Sequence, residues 1–246
     1  MLNPELKLNP DVFSPDGQKK ASRDGFGEGL LLAGELNPQV VALCADVTES
    51  VRMHLFRDRL PERFIEVGIA EQNLAAVASG LAAVGKIPVI GSYAVFSPGR
   101  NWEQIRTTIC YNQQKVIIVG SHAGLNVGPD GATHQALEDI ALTRILPNLS
   151  VVVPSDYLEA RKAILAAVNY PSSVYLRLAR EKSPLITTLE TPFEIGKSQV
   201  LWLPDEQKGE NFSGITIVSC GFLVYETLMA VKELAEERIF VTVINN

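Results

Sequence analysis

The sequence has few cysteines, few histidines and no excess of positive charge. Its 246 residues include three cysteines and three histidines, and the formal net charge is −6. Cys44, Cys110 and Cys220 lie far apart and fit no metal-site spacing, which predicts a chain that binds no metal itself and resides in a reduced compartment. A chain of this charge lacks the general basic surface of a non-specific nucleic-acid binder. An anionic ligand would therefore have to be held by a few local arginines.

Long apolar runs are also missing. No run approaches the roughly 18 residues that a membrane span requires. Residues 1–20 are rich in Pro, Asp, Asn and Lys and lack the apolar core of a signal peptide. We therefore expect a cytoplasmic chain without membrane contact. Apolar residues still make up 46% of the sequence, which is enough to bury a core.

Short β-branched runs alternate with segments of helical period from Ala21 to about residue 180. The predicted strands are 40–45, 63–68, 87–93, 115–121, 149–155 and 173–178, and the predicted helices are 22–36, 71–85, 98–112, 134–146 and 156–169. This alternation predicts βαβ units. We expect an α/β fold with a mostly parallel sheet and helices on both faces.

The pattern changes after Arg180. A segment typical of a linker, with one short extended piece in it, is followed by a new strand–helix–strand pattern, which is too small to be stable alone. We expect this pattern to be an incomplete second α/β domain. The predicted division is an N-terminal arm at 1–20, the main domain at 21–190, a linker at 191–214 and the start of the second domain at 215–246.

Chemically distinctive side chains follow the predicted strands at the points where those strands end. They are Asp46, Glu71, Tyr93, Phe96, His122 and Arg180. In open α/β sheets, the carboxyl ends of the strands form the crevice in which ligands bind. The sequence therefore predicts a ligand site at this edge of the sheet.

Glu71 lies in the first turn of a helix rich in small residues, within the segment 67–85. Its position alone is typical of an acid that complements the helix dipole. The alternative is a buried carboxyl that hydrogen-bonds a ring nitrogen of a ligand. The apolar surroundings favour this alternative, because burial favours the protonated form of a carboxyl.

The segment 120–139 contains two of the histidines, His122 and His134, with Asp130 between them. Glycines in this loop allow sharp turns and close approach to a ligand, and Thr133 is positioned to cap a helix that would start near His134. Three interpretations are open: a glycine loop with unrelated histidines, a metal site, or a site for a hydroxyl-rich substrate. The last fits best, because imidazoles and a carboxylate can bind sugar hydroxyls and transfer protons near neutral pH.

Tyr93 and Phe96 at the end of the third predicted strand are compatible either with core packing or with a platform for a planar heterocycle. Arg23, Ser50 and Arg180 are candidate phosphate contacts. Each of these three residues, taken alone, is more typical of a protein surface.

Two segments together resemble the pyrimidine-binding domain of transketolases. They are RFIEVGIAEQNLAAVASGLAAVGKIPVIGSYAVF and SHAGLNVGPDGATHQALEDIALTRILPNLSVVVPSD. The resemblance is strongest to the C-terminal chain of split, two-gene transketolases. It covers about residues 20–181 and extends weakly through 215–246 into the family's third domain.

The resemblance implies a thiamine diphosphate site. Glu71 matches the catalytic glutamate that binds N1′ of the aminopyrimidine. Tyr93 and Phe96 match aromatic residues around that ring, and Asp46 lies in a segment near the cofactor. The sequence departs from full-length relatives at Gly99, where they carry an aromatic residue, and at Tyr93, which is usually phenylalanine. A differently shaped pyrimidine pocket is therefore expected.

The resemblance also implies a sugar-phosphate site. His122, Asp130 and His134 match groups that hold donor and acceptor hydroxyls, and both histidines are expected to act in catalysis. The substrate phosphate would be held by Arg23, Ser50 and Arg180. Another departure is Ala132, where full-length relatives carry proline.

The function implied is transfer of a two-carbon ketol unit between sugar phosphates, as in the pentose phosphate pathway. The GDG motif that holds magnesium and diphosphate in this family does not occur in the sequence. Both groups are therefore expected on an N-terminal-half partner chain, in a heterotetramer of two chains of each kind (α2β2). The alternatives are a deoxyxylulose-phosphate synthase-like or ketoacid dehydrogenase-like component, and a non-catalytic interaction chain that kept the fold.

Overall fold

The computed structural model describes residues 1–204 and 214–246, with a six-stranded parallel sheet at its centre. The strands are β1 (Lys19–Ala21), β2 (Val40–Cys44), β3 (Phe64–Glu66), β4 (Ile87–Tyr93), β5 (Ile117–Ser121), β6 (Leu149–Val152), β7 (Ser173–Arg177), β8 (Lys182–Pro184), β9 (Gln199–Trp202), β10 (Ile215–Ser219) and β11 (Val241–Asn245). The strand order in the central sheet is β3-β2-β4-β5-β7-β6, and every neighbouring pair is parallel. The predicted α/β fold is confirmed.

Helices cover both faces of this sheet. They are α1 (Ser22–Leu36), α2 (His54–Arg59), α3 (Glu71–Ala83), α4 (Trp102–Gln104), a π-helix that continues α4 (Ile105–Tyr111), α5 (Asp139–Arg144), α6 (Tyr157–Asn169) and α7 (Leu223–Glu236). Short 3₁₀ helices lie at Pro4–Leu6, Pro61–Arg63 and Ala132–His134. Helix α2 was not predicted from the sequence.

Strand β2 shows why both faces are apolar. Val40, Ala42 and Cys44 pack in the core against α1 and α6, whereas Val41 and Leu43 pack in the core against α3 and the π-helix. Successive strand residues point to opposite faces, so a continuous apolar run can supply two cores. Because the strand residues fill these two cores, the polar residues of a site must lie beyond the carboxyl ends of the strands.

Helices α1 and α6 approach each other closely because α1 carries glycines at the contact. A Cβ atom added at Gly25 would lie 1.9 Å from the carbonyl oxygen of Tyr157, and one at Gly29 would lie 2.5 Å from Ile164. Only a residue without a side chain fits at these distances. The segment RDGFGEG thus positions Arg23, at the start of α1, near the carboxyl edge of the sheet.

A second, smaller sheet has the order β10-β11-β9. Its core includes Val224 and Leu228 of α7, and residues of the N-terminal segment pack against it, among them Val12 and Phe13. The segment 1–20, predicted to be an irregular arm, therefore contributes to the core of this second unit. Strand β9 is the short extended piece predicted in the linker, and the remainder of that linker from 205 to 213 lies outside the described residues.

The predicted helix 134–146 is wrong at its start, because α5 begins at Asp139. Gly124 and Ala136 form an isolated antiparallel bridge, with the Gly124 N–H donating to the Ala136 carbonyl at 2.8 Å. Gln135, directly before the bridge, has an extended backbone (φ −76°, ψ 116°), so no α-helix runs from His134 into α5. Thr133 consequently does not cap a helix, and it lies in the 3₁₀ turn Ala132–His134.

Candidate functional site

The carboxyl edge of the central sheet gathers most of the predicted site residues. Tyr93 ends β4 and Ser121, the last residue of β5, precedes His122. Asp46 follows β2 with a left-handed backbone conformation (φ 58°), and His122 has the same φ. Residues rarely adopt this conformation without a structural reason, so it marks the places where the chain turns sharply over the sheet edge.

Glu71 is the first residue of α3 and is 2% exposed. Its Oε2 accepts a hydrogen bond from Nη1 of Arg100 at 2.7 Å, and its backbone carbonyl accepts one from Nδ2 of Asn101 at 3.0 Å. A carboxylate at a helix N-terminus also interacts favourably with the helix dipole. Both interpretations of Glu71 from sequence are thus compatible with this position, and the ion pair adds a partner that sequence analysis missed.

Aromatic rings form a continuous wall, which Arg100 connects to Glu71 because its guanidinium carbon lies 4.7 Å from the centroid of the Phe96 ring. The rings of Tyr93 and Phe96 stack with centroids 6.0 Å apart and an interplanar angle of 9°. Tyr93 also stacks on the His122 imidazole at 3.9 Å and 20°. His134 meets Phe96 edge-on at 5.4 Å and Tyr93 at 6.1 Å. The wall offers a flat apolar surface of the kind that planar heterocycles stack against.

His122 is 1% exposed and is held through both ring nitrogens. Nε2 lies 3.2 Å from Nη1 of Arg23, and Nδ1 lies 2.9 Å from Oγ of Ser121. Because arginine can only donate, Nε2 must accept, and the ring proton therefore lies on Nδ1 and points to Ser121. Burial, followed by the nearby charge of Arg23, lowers the pKa of His122 to about 3. The imidazole is neutral at physiological pH.

Two arginines face the same region from different elements. Arg23 donates through Nη1 to the backbone carbonyl of Ser50 at 3.0 Å, while its buried Nε has no hydrogen-bond partner among the described residues. Burial, then the charge of Arg52, lowers the pKa of Arg23. Arg180 pairs with Glu181 and packs against Gly128, where an added Cβ would lie 2.2 Å from Nη1. An unsatisfied buried donor beside a second guanidinium is a favourable environment for an anion.

Three predicted residues make contacts that the sequence did not indicate, and their ligand roles stay predictions. Ser50 contributes its backbone carbonyl to Arg23, and Asp46 contributes its backbone N–H to Glu66 while its own side chain is exposed. Asp130 is exposed, and none of the hydrogen bonds among the described residues joins its carboxylate to His122 or His134. The structure therefore brings the two histidines together around Tyr93 but leaves Asp130 at the loop surface.

Glu66 was missed by sequence analysis. It accepts hydrogen bonds from the backbone N–H groups of Asp46 (2.8 Å) and Gly68 (3.0 Å) and from the Thr48 hydroxyl (3.0 Å). These contacts fix the loop after β2 to the loop after β3, next to Glu71. A charged residue at the end of an otherwise apolar strand was the available signal.

Asp139 was also missed. It is 1% exposed and accepts from the Tyr175 hydroxyl and from Nε of Arg177, each at 2.8 Å. Burial raises the pKa of Tyr175, and the neighbouring Asp139 raises it further. The contacts anchor the end of the histidine-containing loop to β7. Nothing in the sequence connected residues that are 36 and 38 positions apart.

The described part of the chain has neither a metal-ligating cluster nor a membrane-spanning helix. Within residues 1–204 and 214–246, no group of three or more His, Cys, Asp or Glu side chains is arranged to hold a metal ion. In the same part of the chain, each helix is too short or too polar to traverse a bilayer.

Residues 18–184 match the family described as the transketolase pyrimidine-binding domain. The chain belongs to this family. It is 40% identical over 225 residues to the putative transketolase C-terminal section of Methanocaldococcus jannaschii, covering 91% of this chain and 69% of that protein. It is 36% identical to transketolase-like protein 2 of the mouse, covering 93% of this chain but 35% of that protein.

Solved structures agree with this assignment. A protein described as "split gene transketolase, inactive beta4 tetramer" is 40% identical, with a TM-score of 0.80 over 92% of this chain and 70% of that one. Transketolase from Campylobacter jejuni is 25% identical, with a TM-score of 0.82 over 98% of this chain and 38% of that one. The chain thus spans little more than a third of the full-length relatives, and it corresponds to the C-terminal half of a split transketolase.

Proposed function

We propose that this chain is the pyrimidine-binding subunit of a thiamine diphosphate-dependent transketolase, which transfers a two-carbon ketol unit between sugar phosphates together with an N-terminal-half chain. The observation that carries the proposal is the buried carboxylate of Glu71, which the Arg100 guanidinium links to the stacked rings of Tyr93 and Phe96. The proposal assigns this function to a domain at residues 21–190 and regards 215–246 as the beginning of the next domain.

The residues at this edge fit an aminopyrimidine. Tyr93 and Phe96 supply flat faces, and Glu71 supplies a carboxyl that can share a proton with a ring nitrogen in a water-poor place. When bound, the cofactor would act as the electron sink of the reaction. The protein would hold the ring, keep its proton-exchanging nitrogen hydrogen-bonded to Glu71 and exclude water.

The arginines fit the phosphate end of a sugar phosphate. Arg23 has a buried Nε that lacks a partner among the described residues, and Arg180, which follows β7, lies nearby and packs against Gly128 of the histidine-containing loop. We assign His122 to holding Arg23 in this position, because its Nε2 accepts from that guanidinium. A substrate hydroxyl would reach His122 by replacing one of these contacts, and His134 lies on the same aromatic wall.

The proposal requires a partner chain. The sequence lacks the GDG motif, so the magnesium ion and the diphosphate are assigned to the N-terminal-half chain. Large apolar side chains are exposed near the site: Ile69 (75%), Leu125 (69%) and Leu137 (67%). Large exposed apolar side chains on the loops that carry the site favour an interaction surface there. The split-gene relative that is described as an inactive beta4 tetramer supports both self-association and inactivity of this half alone, within an active α2β2 assembly.

Glu71→Gln tests the function directly. The change preserves the size of the side chain but removes the exchangeable carboxyl proton. In the complex with the N-terminal-half chain, we expect exchange of the cofactor C2 proton into deuterium oxide to fall by at least about 10²-fold. Glu103→Gln is the matched control. Glu103 is exposed and lies in α4, which contacts α3, so the complex with this variant should exchange the C2 proton at the wild-type rate.

Equal exchange rates in Glu71→Gln and wild type would remove Glu71 from its proposed role. Wild-type complex that neither exchanges the C2 proton nor transfers a ketol unit would favour the non-catalytic alternative. Robust ketol transfer by the isolated chain would instead contradict the need for a partner.

A further inference from the structure

Arg100 lies between Glu71 and the solvent. Its Nη1 is 2.7 Å from Oε2 of Glu71, and its guanidinium carbon lies 4.7 Å from the centroid of the Phe96 ring. The Arg100 side chain is 49% exposed, whereas the Glu71 side chain is 2% exposed. The guanidinium therefore covers the carboxylate on its solvent side and lies over the aromatic ring at the same time.

The backbone that carries Arg100 is firmly fixed. Asn101 is fully buried and donates to the Glu71 carbonyl at 3.0 Å and to Oγ of Ser97 at 3.2 Å. A Cβ added at Gly99 would lie 2.0 Å from the carbonyl oxygen of Val95, so this turn admits no side chain before Arg100. The turn thus brings Arg100 to Glu71, while about half of the arginine side-chain surface (49%) faces solvent.

Glu71 and Phe96, which hold the guanidinium, are two of the three residues to which the proposed function assigns the aminopyrimidine. A planar ring that stacks beside Phe96 and hydrogen-bonds Glu71 needs the volume and the acceptor that Arg100 occupies here. Resting on that proposed function, we propose that Arg100 is a gating counter-ion. Its ion pair with Glu71 closes the pyrimidine subsite, and binding of the ring exchanges this ion pair for the ring nitrogen.

The pair is strong enough to bias binding and weak enough to be replaced. Ion pairs with one exposed partner are modest in strength, because water competes for the exposed group. A ligand that must displace such a pair has an apparent affinity equal to its intrinsic affinity multiplied by the fraction of molecules in which the pair is open. We expect removal of Arg100 to tighten pyrimidine binding by about fivefold, the range of a modest ion pair.

The experiment uses the whole chain and 4-amino-5-hydroxymethyl-2-methylpyrimidine, a fragment that does not need the diphosphate site of a partner. Its dissociation constant is measured by NMR titration with wild type, Arg100→Met and Arg106→Met. Arg106 is a matched control, because it is exposed and its guanidinium lies 5.8 Å from the Trp102 ring. Arg100→Met should bind about fivefold tighter than wild type, and Arg106→Met should match wild type.

A second measurement needs no variant. Arg100 should react faster with phenylglyoxal when the fragment is bound to the wild-type chain, because the exchange turns the guanidinium towards solvent. Slower reaction on binding, or fragment affinity in Arg100→Met that is equal to or weaker than wild type, overturns the gate while leaving the pyrimidine site intact. Failure of wild type and both variants to bind the fragment overturns the proposed function itself, and the gate with it.

Discussion

Acidification should destabilise this chain through His122. The imidazole is buried, its Nε2 accepts from Arg23, and its pKa is lowered to about 3 by burial and by that arginine. In the unfolded chain the pKa of a histidine is about 6.5. Between these two values the unfolded state binds a proton that the folded state refuses, so stability falls as the pH falls. The contribution of neutral His122 is complete above about pH 6.5 and is progressively lost towards pH 3.

The size of the effect follows from the two pKa values. A pH of 5 is about 1.5 units below the pKa of histidine in the unfolded chain, and each pH unit corresponds to about 1.4 kcal/mol. The folded state should therefore lose about 1–2 kcal/mol between pH 7 and pH 5 through this residue. The free energy of unfolding of a folded domain is typically about 5–15 kcal/mol, so this loss is large enough to measure.

Urea unfolding of wild type and His122→Gln at pH 7 and pH 5 measures this difference. Carboxyl groups titrate alike in both proteins, so the difference between them isolates His122. We expect the acid-induced loss to be smaller by about 1–2 kcal/mol in His122→Gln. His134→Gln, which removes a partly exposed histidine from the same loop, should lose as much stability as wild type. Parallel losses in His122→Gln and wild type would refute the assignment of a neutral, arginine-bound imidazole.

Three other predictions concern the substrate end, the core and the second sheet. Arg180→Ala should raise KM for phosphorylated substrates far more than for unphosphorylated analogues in steady-state kinetics with the partner chain, and equal effects would remove Arg180 from the phosphate site. Asp156→Ala should lower the free energy of unfolding in urea by about 3 kcal/mol, because this buried carboxylate accepts from the Ile186 N–H (2.8 Å) and from the N–H and hydroxyl of Thr187. In the isolated chain, amide exchange should be fastest in β10, an edge strand with Val218 61% exposed, and uniform protection would contradict this.

The sequence by itself determined the architecture. Runs such as VVALC are buried on both faces, and their alternation with helical segments requires a parallel sheet between helix layers. The rule that ligand groups follow the carboxyl ends of the strands then placed Tyr93 and His122 together, as the structure has them. The resemblance to transketolases singled out Glu71, and its position at the start of α3 follows from the helical periodicity.

Only the tertiary structure decided what each of these groups contacts. The Arg100–Glu71 pair joins residues 29 positions apart, and the tautomer of His122 is set by Arg23, 99 positions away. The bridge between Gly124 and Ala136 likewise replaced the predicted first turns of a helix. Periodicity reports whether a residue is buried, because burial repeats with the local backbone. Which side chains meet across two loops depends instead on how sharply the chain turns at positions such as His122 and Asp46. No local pattern of residue types encodes the distance between two such side chains.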